Sequence, residues 1–479
     1  NNGNLIVAVI CVEDGAGLTV TGEGTIDVTT HSVNPNIAYM FWKRGTTGHL
    51  TIENGTFHMN DTFDSMVYTN GDEIVTVNGG TFTLDAVGTD ENGSPWIFNC
   101  QGTGGKNVIV TGGTYNADIN RQHWSDEVFV PETHYTANNG DGTYTIKEGA
   151  EAYVNTGMLT GPYYYRKNIG YATLEEAIKA AVDYKDSPVG LNEDVTLEET
   201  VIINGNGDEM KLVIDLNEHT ITGTATAKPT AFRIQNNANV IVKNGNINTE
   251  NYNFILGSSD ATTAGNLTIE SGNYKGASSV VSVTNGLLTI NGGEFEANES
   301  DWGSQYLINC IDSYNINGSG IALVSITGGK FHGFNPEDNT AENPQVNFCA
   351  PGYGAVETAA DSNIWEVMPV HTHDFYTGWR WYSTYIDING SEGLIRLENA
   401  LEDKGLSINH NVDGFVTYEG GKWWNQLATL KETNVKKMYK IEVSGDLEMK
   451  LIGNVVDFNE AIEIKTGYNW IGYPFTKAV

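Results

Sequence analysis

Six stretches of this chain place like residues in the same three columns around a glycine. They are LTIENGTF from Leu50, VTVNGGTF from Val75, VIVTGGTY from Val108, LTIESGNY from Leu267, LTINGGEF from Leu288 and VSITGGKF from Val324. Five and three residues before the last glycine stand Leu, Val or Ile; two residues after it stands Phe or Tyr. The two aliphatic columns share a face under strand periodicity. The aromatic column has the opposite parity, so a straight strand would expel it. The chain must turn a corner at Gly55, Gly80, Gly113, Gly272, Gly293 and Gly329, where positive φ is cheap, and bring the ring back inside.

VIVKNGNINTE from Val240 is a seventh copy, with Ile247 in the aromatic column, and LTVTGEGTIDV from Leu18 is a looser eighth. Their glycines are Gly245 and Gly24, and the glycine spacings run 31, 25 and 33, then 27, 21 and 36 residues. Self-similarity at such periods, with strand-type columns and no helix in each repeat, means a parallel β-helix. The expected fold is all-β dominated: two tandem right-handed parallel β-helices over 1–149 and 150–370, and a small α+β domain over 371–479. In the second block GYATLEEAIKAAV reads as an amphipathic helix over Thr173–Val182, with a Thr173/Glu176 capping box. It should cover the open end of that β-helix. The first block starts in mid-coil without such a helix, so the chain is expected to be a slice of a longer modular protein.

After residue 370 the pattern changes. SEGLIRLENALEDKG puts Leu394, Leu397 and Leu401 on one helical face, and MYKIEVSGDLEMKLIG reads as a hairpin turning at Ser-Gly-Asp. GWRWYSTY at Gly378 and GYNWIGYPF at Gly467 share Gly-aromatic-x-Trp; the second phrase is expected to be a closing strand pairing with the first.

Charge and cysteine usage narrow the function classes. The 479 residues carry a net charge of −34, which opposes nucleic acid and anionic membrane surfaces. No apolar run is long enough to span a bilayer. Cys11, Cys100, Cys310 and Cys349 lack metal-ligand spacing; Cys100 and Cys310 occupy matching places and read as buried small hydrophobes.

YATLEEAIKAA, LNEDVTLEETVII and VIDLNEHTITG, followed by the LTINGGEF coils and a DGTYTI ending, resemble the β-helix modules of bacterial surface and adhesin-like proteins in the pectin-lyase-like superfamily. The resemblance covers 1–370 and implies a secreted or cell-surface location. Glu218-His219 depart from it, since similar modules tend to have glycine at that turn. The last domain is similar to a Trp-rich unit of surface proteins from gut-type anaerobes, which carries no known chemistry. Enzymes of the superfamily cleave acidic polysaccharides, but Asp-Asp, Gly-His-Gly, Arg-Ile-Lys and an arginine-rich signature are all lacking here.

The expected function is therefore a non-catalytic adhesin or stalk module that presents loops or its terminal domain to a glycan or a protein. A β-helix lyase or glycoside hydrolase and a ligand-free spacer are the rivals. Exposed aromatics stack on sugar rings, which makes Trp423, Trp424 and Trp379 the candidate ligand-binding residues, while Trp381 and Trp470 sit in apolar runs and read as core. Trp423 and Trp424 are adjacent, so in a strand one must face outward. Thr25, Thr56, Thr81 and Thr114 would form a ladder if the coils stack in register, and Glu296 would sit between Lys275 and His332, with Glu294 beside Lys330. No cofactor is required. Calcium is the one candidate, at the acidic turns around Asp141 and Asp208-Glu209, although neither has EF-hand spacing. His371 and His373, with Asp374, read as part of an interdomain linker rather than as a metal site.

Overall fold

A computed structural model describes residues 7–28, 37–60, 64–69, 74–85, 87, 95–100, 108–121, 129–157, 166–183, 187–205, 211–258, 264–277, 279–298, 306–310, 314, 321–339, 346–359, 361–424, 428–456 and 461–474. The chain divides into two compact units, 1–250 with 262–267 and 251–261 with 268–479. The expected all-β, parallel β-helix-like architecture is present in both.

In the first unit the sequence columns are physical ladders. Leu18, Leu50, Val75 and Val108 pair in parallel across one sheet, as do Val20, Ile52, Val77 and Val110. On the next sheet Ile26, Phe57, Phe82 and Tyr115 are in register. Phe57, Phe82 and Tyr115 are buried and stacked, with ring centroids 4.8 and 5.1 Å apart. A third sheet, Val7–Val12, Ile37–Lys43, Ser65–Thr69 and Trp96–Cys100, closes each coil. The stacking starts with the first described strand, which pairs with Ile37–Lys43. Cys100 is buried as expected.

The corner explains the glycine. At Gly80 φ is +106°, and an added Cβ would lie 3.1 Å from both the Gly55 carbonyl oxygen and Phe57 Cε2. The two looser copies differ. The left-handed residue is Gly22 rather than Gly24, and Asn244, at φ +57°, rather than Gly245. Alignment by the last glycine therefore misplaces the corner in those two coils.

The first coil stack does not end in a bare edge. Thr114–Tyr115 pairs antiparallel with Tyr144–Glu148, which pairs antiparallel with His134–Asn138. That strand bridges to Arg166–Tyr171 at Tyr135 and Gly170, and Ala152–Gly157 then carries the sheet on to Val189–Leu191. Parallel pairing resumes there with Lys211–Asp215 and Ala238–Lys243. The expected helix runs Leu174–Asp183 and packs on Ala152–Gly157, Arg166–Tyr171 and Val189–Leu191. Leu174, Ala177, Ile178 and Ala181 form its buried face. The Glu176 amide donates to Thr173 Oγ1 at 3.2 Å, and the Leu174 amide to Glu151 Oε2 at 3.1 Å, so two of the amides that a helix start leaves orphaned are satisfied. At the departure from the surface-protein pattern, Asn217 (φ +48°) and Glu218 (φ +67°) both adopt the conformation a glycine would take.

In the second unit Tyr274, Phe295 and Phe331 repeat the buried stack at 5.2 and 5.0 Å. Cys310 is buried. The 12-residue strand Ile364–Phe375 pairs with Lys330–His332 and Tyr353–Glu357 through its first half, and with Leu447–Ile452 through its second. His371 and His373 therefore lie in a strand and not in a linker. Its alternation turns both rings inward, where His371 lies 4.8 Å from Tyr385 and 5.7 Å from Tyr382, and His373 lies 4.7 Å from Phe375.

The expected hairpin is also corrected. Tyr439–Val443 joins the sheet ordered Gly378–Tyr382, Tyr439–Val443, Gly405–His410, Gly414–Glu419, Lys422–Trp423, whereas Leu447–Ile452 pairs with Ile364–Phe375. Tyr439, Ile441 and Val443 thus face Leu447, Met449 and Leu451 across one core, with Leu394 and Leu397 of the helix Gly390–Ala400 and its C-cap Leu401 packed among them. Two alternating runs around a Ser-Gly-Asp turn satisfy either arrangement, and burial of both faces selects the second. No helix among the described residues is long and apolar enough to cross a membrane.

Candidate ligand-binding face

The terminal sheet buries one face and leaves the other open. Ile441, Ile408 and Val416 point into the core. Trp379 and Trp381, two apart on Gly378–Tyr382, point outward at 36% and 48% exposure. Trp381 was expected in the core; its strand is at the sheet edge, and Tyr382, of opposite parity, fills the core instead. Along one row Trp381 pairs with Lys440, Lys440 with Asn409, and Asn409 with Phe415, which is 46% exposed. Along the next row Trp379 stands opposite Glu442.

Lys440 is the centre of this arrangement. Its ammonium lies 5.1 Å from the Trp379 ring centroid and 6.0 Å from that of Trp381, a cation–π geometry. Trp470 meets Trp381 edge-on, with centroids 4.5 Å apart at 88°. The second Gly-aromatic-x-Trp phrase does pair, but not with the first phrase as expected. Lys437 bridges to Ile471, the Met438 amide donates to the Trp470 carbonyl, and the Gly472 amide to the Lys436 carbonyl. The Trp381 and Trp470 side chains connect the two phrases. Beside them His410 is held 2.7 Å from Asp413, and burial pushes its imidazole below the usual histidine range.

The other two candidate tryptophans lie at the far edge. Trp423 turns toward the core and packs on Tyr418 at 5.4 Å. Trp424 faces out, donates from Nε1 to the Glu419 carbonyl at 2.9 Å, and has the Lys422 ammonium 4.4 Å from its ring centroid. With three strands between their edges, Trp379 and Trp424 are about 19 Å apart by strand spacing. The structure does not gather the expected trio into one site; it gathers Trp379, Trp381, Trp470 and Lys440.

Other expectations resolve separately. The threonine ladder is in register from Thr25 through Thr56 and Thr81 to Thr114, and Thr145 extends it at 3.2 Å. One row over, His58 stands between Asp85 at 2.8 Å and Asp27 at 3.5 Å; the Asp85 hydrogen bond raises its pKa. Lys275 pairs with Glu296 at 2.6 Å, but His332 reaches Glu294 instead of Glu296.

Asp141 spends its carboxylate on its own turn, accepting from the Thr143 amide and hydroxyl, and these bonds lower its pKa. Asp208 and Glu209 lie outside the described residues. Among the described residues no three His, Cys, Asp or Glu side chains converge as a metal site. A cleft lined by Asp118, Asn120, Tyr135, Thr136, Tyr171 and Glu176 encloses about 80 Å³, well below the ~300–1,000 Å³ of ligand pockets, and Asp118 Oδ1 accepts from the Asn120 amide.

A scan against protein-family models finds no match to this chain, and comparison with curated proteins and with solved structures finds none either.

Proposed function

We propose that this chain is a non-catalytic binding module of an extracellular or surface type, in which stacked coils serve as scaffold and the terminal sheet engages carbohydrate. One observation carries the reading: Trp379 and Trp381 are exposed on one face of one strand, flanked by Trp470, with the Lys440 ammonium on the adjacent strand close to both rings. Exposed planar rings present flat apolar surface to the CH faces of a pyranose, and Lys440, Asn409 and Glu442 supply donors and acceptors for its hydroxyls. An aromatic cluster left exposed on a folded domain is the usual mark of an interaction surface. The test is a glycan array followed by calorimetric titration of soluble oligosaccharides. Trp381→Ala should abolish binding, and Trp424→Ala, at the other edge, should weaken it far less. Release of reducing ends or unsaturated products from a polysaccharide panel would refute the non-catalytic reading, and an array with no bound glycan would refute the carbohydrate reading.

A further inference from the structure

Charge is distributed unevenly over this molecule. Residues 1–370 carry 15 basic and 45 acidic groups, net −30, whereas residues 371–479 carry 11 and 15, net −4. Within the terminal region Lys437 is paired with Asp413 and Lys450 with Glu448. Lys440 is different. Its ammonium lies close to two rings of the neighbouring strand and has, among the described residues, no carboxylate within ion-pair distance, although Glu442 is only two positions away on the same strand. Half-buried beside two indoles, it has lost part of its hydration without gaining a counter-charge. Such a cation favours an anion more than a fully solvated lysine does.

The row through Lys440 also has length and polarity. Trp381, Lys440, Asn409 and Phe415 succeed one another across four strands, about 14 Å at the usual strand spacing. Aromatic surface thus stands at both ends, with a cation and an amide between.

Resting on the carbohydrate reading above, we infer that this face selects an acidic oligosaccharide. It lies across the strands, with sugar rings on Trp381 and Phe415 and a uronate-type carboxylate on the intervening unit paired with Lys440. Glu442 marks the boundary, because it would repel a carboxylate placed on the Trp379 row.

The experiment uses the full chain and two probes that differ only at C6, cellohexaose and its C6-oxidised form, titrated calorimetrically at low and high salt. The oxidised probe should bind about fivefold tighter at low salt, the scale of one partly exposed ion pair, and the gap should shrink as salt screens it. In Lys440→Gln the two probes should bind within about twofold of each other, and Lys440→Arg should keep the preference, which separates loss of charge from loss of fold. Equal binding of both probes to the unaltered chain, or a preference that survives Lys440→Gln, overturns the acidic selection and leaves the carbohydrate reading standing. Failure of both probes and of the whole array overturns the two together.

Discussion

Gly24 and Gly80 stand in the same column of the repeated phrase, yet the structure assigns them opposite tolerance to a methyl group. At Gly80 φ is +106°, and an alanine Cβ would meet the Gly55 carbonyl oxygen at 3.1 Å, Phe57 Cε2 at 3.1 Å and Phe82 Cε2 at 3.3 Å. Holding an L-residue in that region costs about 1–3 kcal/mol, and wedging a methyl against packed rings and backbone adds about 1–3 kcal/mol. Gly80→Ala should therefore destabilise the first coils by about 2–6 kcal/mol. At Gly24 φ is not left-handed, and an added Cβ has nothing within 4 Å. Gly24→Ala should be neutral, or stabilising by up to about 1 kcal/mol through the unfolded chain. Stacked coils need not unfold in one step, so the assay should be local: hydrogen exchange of the peptide covering residues 49–84 for both variants, alongside denaturant midpoints. Equal loss of protection in the two, or no loss in Gly80→Ala, would refute the assignment of the corner to glycine conformation.

Phe82 lies between Phe57 and Tyr115 in the stack, and Phe82→Ala should cost about 3–5 kcal/mol, read as a lowered denaturant midpoint. Glu218 holds φ +67°, so Glu218→Gly should leave stability unchanged or raise it by up to about 1 kcal/mol, the relief of backbone strain exceeding the added chain entropy; a clear loss by thermal denaturation would contradict this. Burial pushes His371 and His373 below the ordinary histidine range, with His373 adding to the effect on His371. Groups neutral in the fold and more basic when unfolded contribute stability that is complete above about pH 6.5 and lost as pH falls toward their folded values. Exchange protection of Ile364–Phe375 and Leu447–Ile452 should therefore drop between pH 7.5 and 5, and rising protection on acidification would be the contrary result.

The coils were legible because their constraint is local and repeated. A strand pair, a glycine corner and an inward ring recur, and each column becomes a ladder such as Ile52, Val77 and Val110. The legibility fails where a different residue does the glycine's work. Asn244 and Gly22 take the positive φ beside Gly245 and Gly24, and the spacing rule cannot see the shift because asparagine also tolerates left-handed backbone. Pairing across a turn was illegible for a related reason. The runs at Tyr439 and Leu447 alternate identically whether the strands bond to each other or to Gly378–Tyr382 and Ile364–Phe375, and only contacts remote in sequence decide between them.

The site was legible in kind and not in membership, and Trp381 shows why. Its neighbours Trp379, Tyr382 and Tyr385 make an apolar run, which reads as interior, and an alternating strand does bury half of such a run. Which half is set by parity against the core, and the core here is fixed by Tyr382 and Ile441. Once Tyr382 points inward, Trp379 and Trp381, both of the opposite parity on the edge strand, must point outward. The same argument puts Trp423 inward through its pairing with Tyr418, and Trp424 outward. Trp470 is beyond any local rule, since its place beside Trp381 depends on the bridge between Lys437 and Ile471. The aromatic face is thus assembled by strand parity and by one long-range closure, and a substitution that breaks the closure should expose Trp381 without moving its strand.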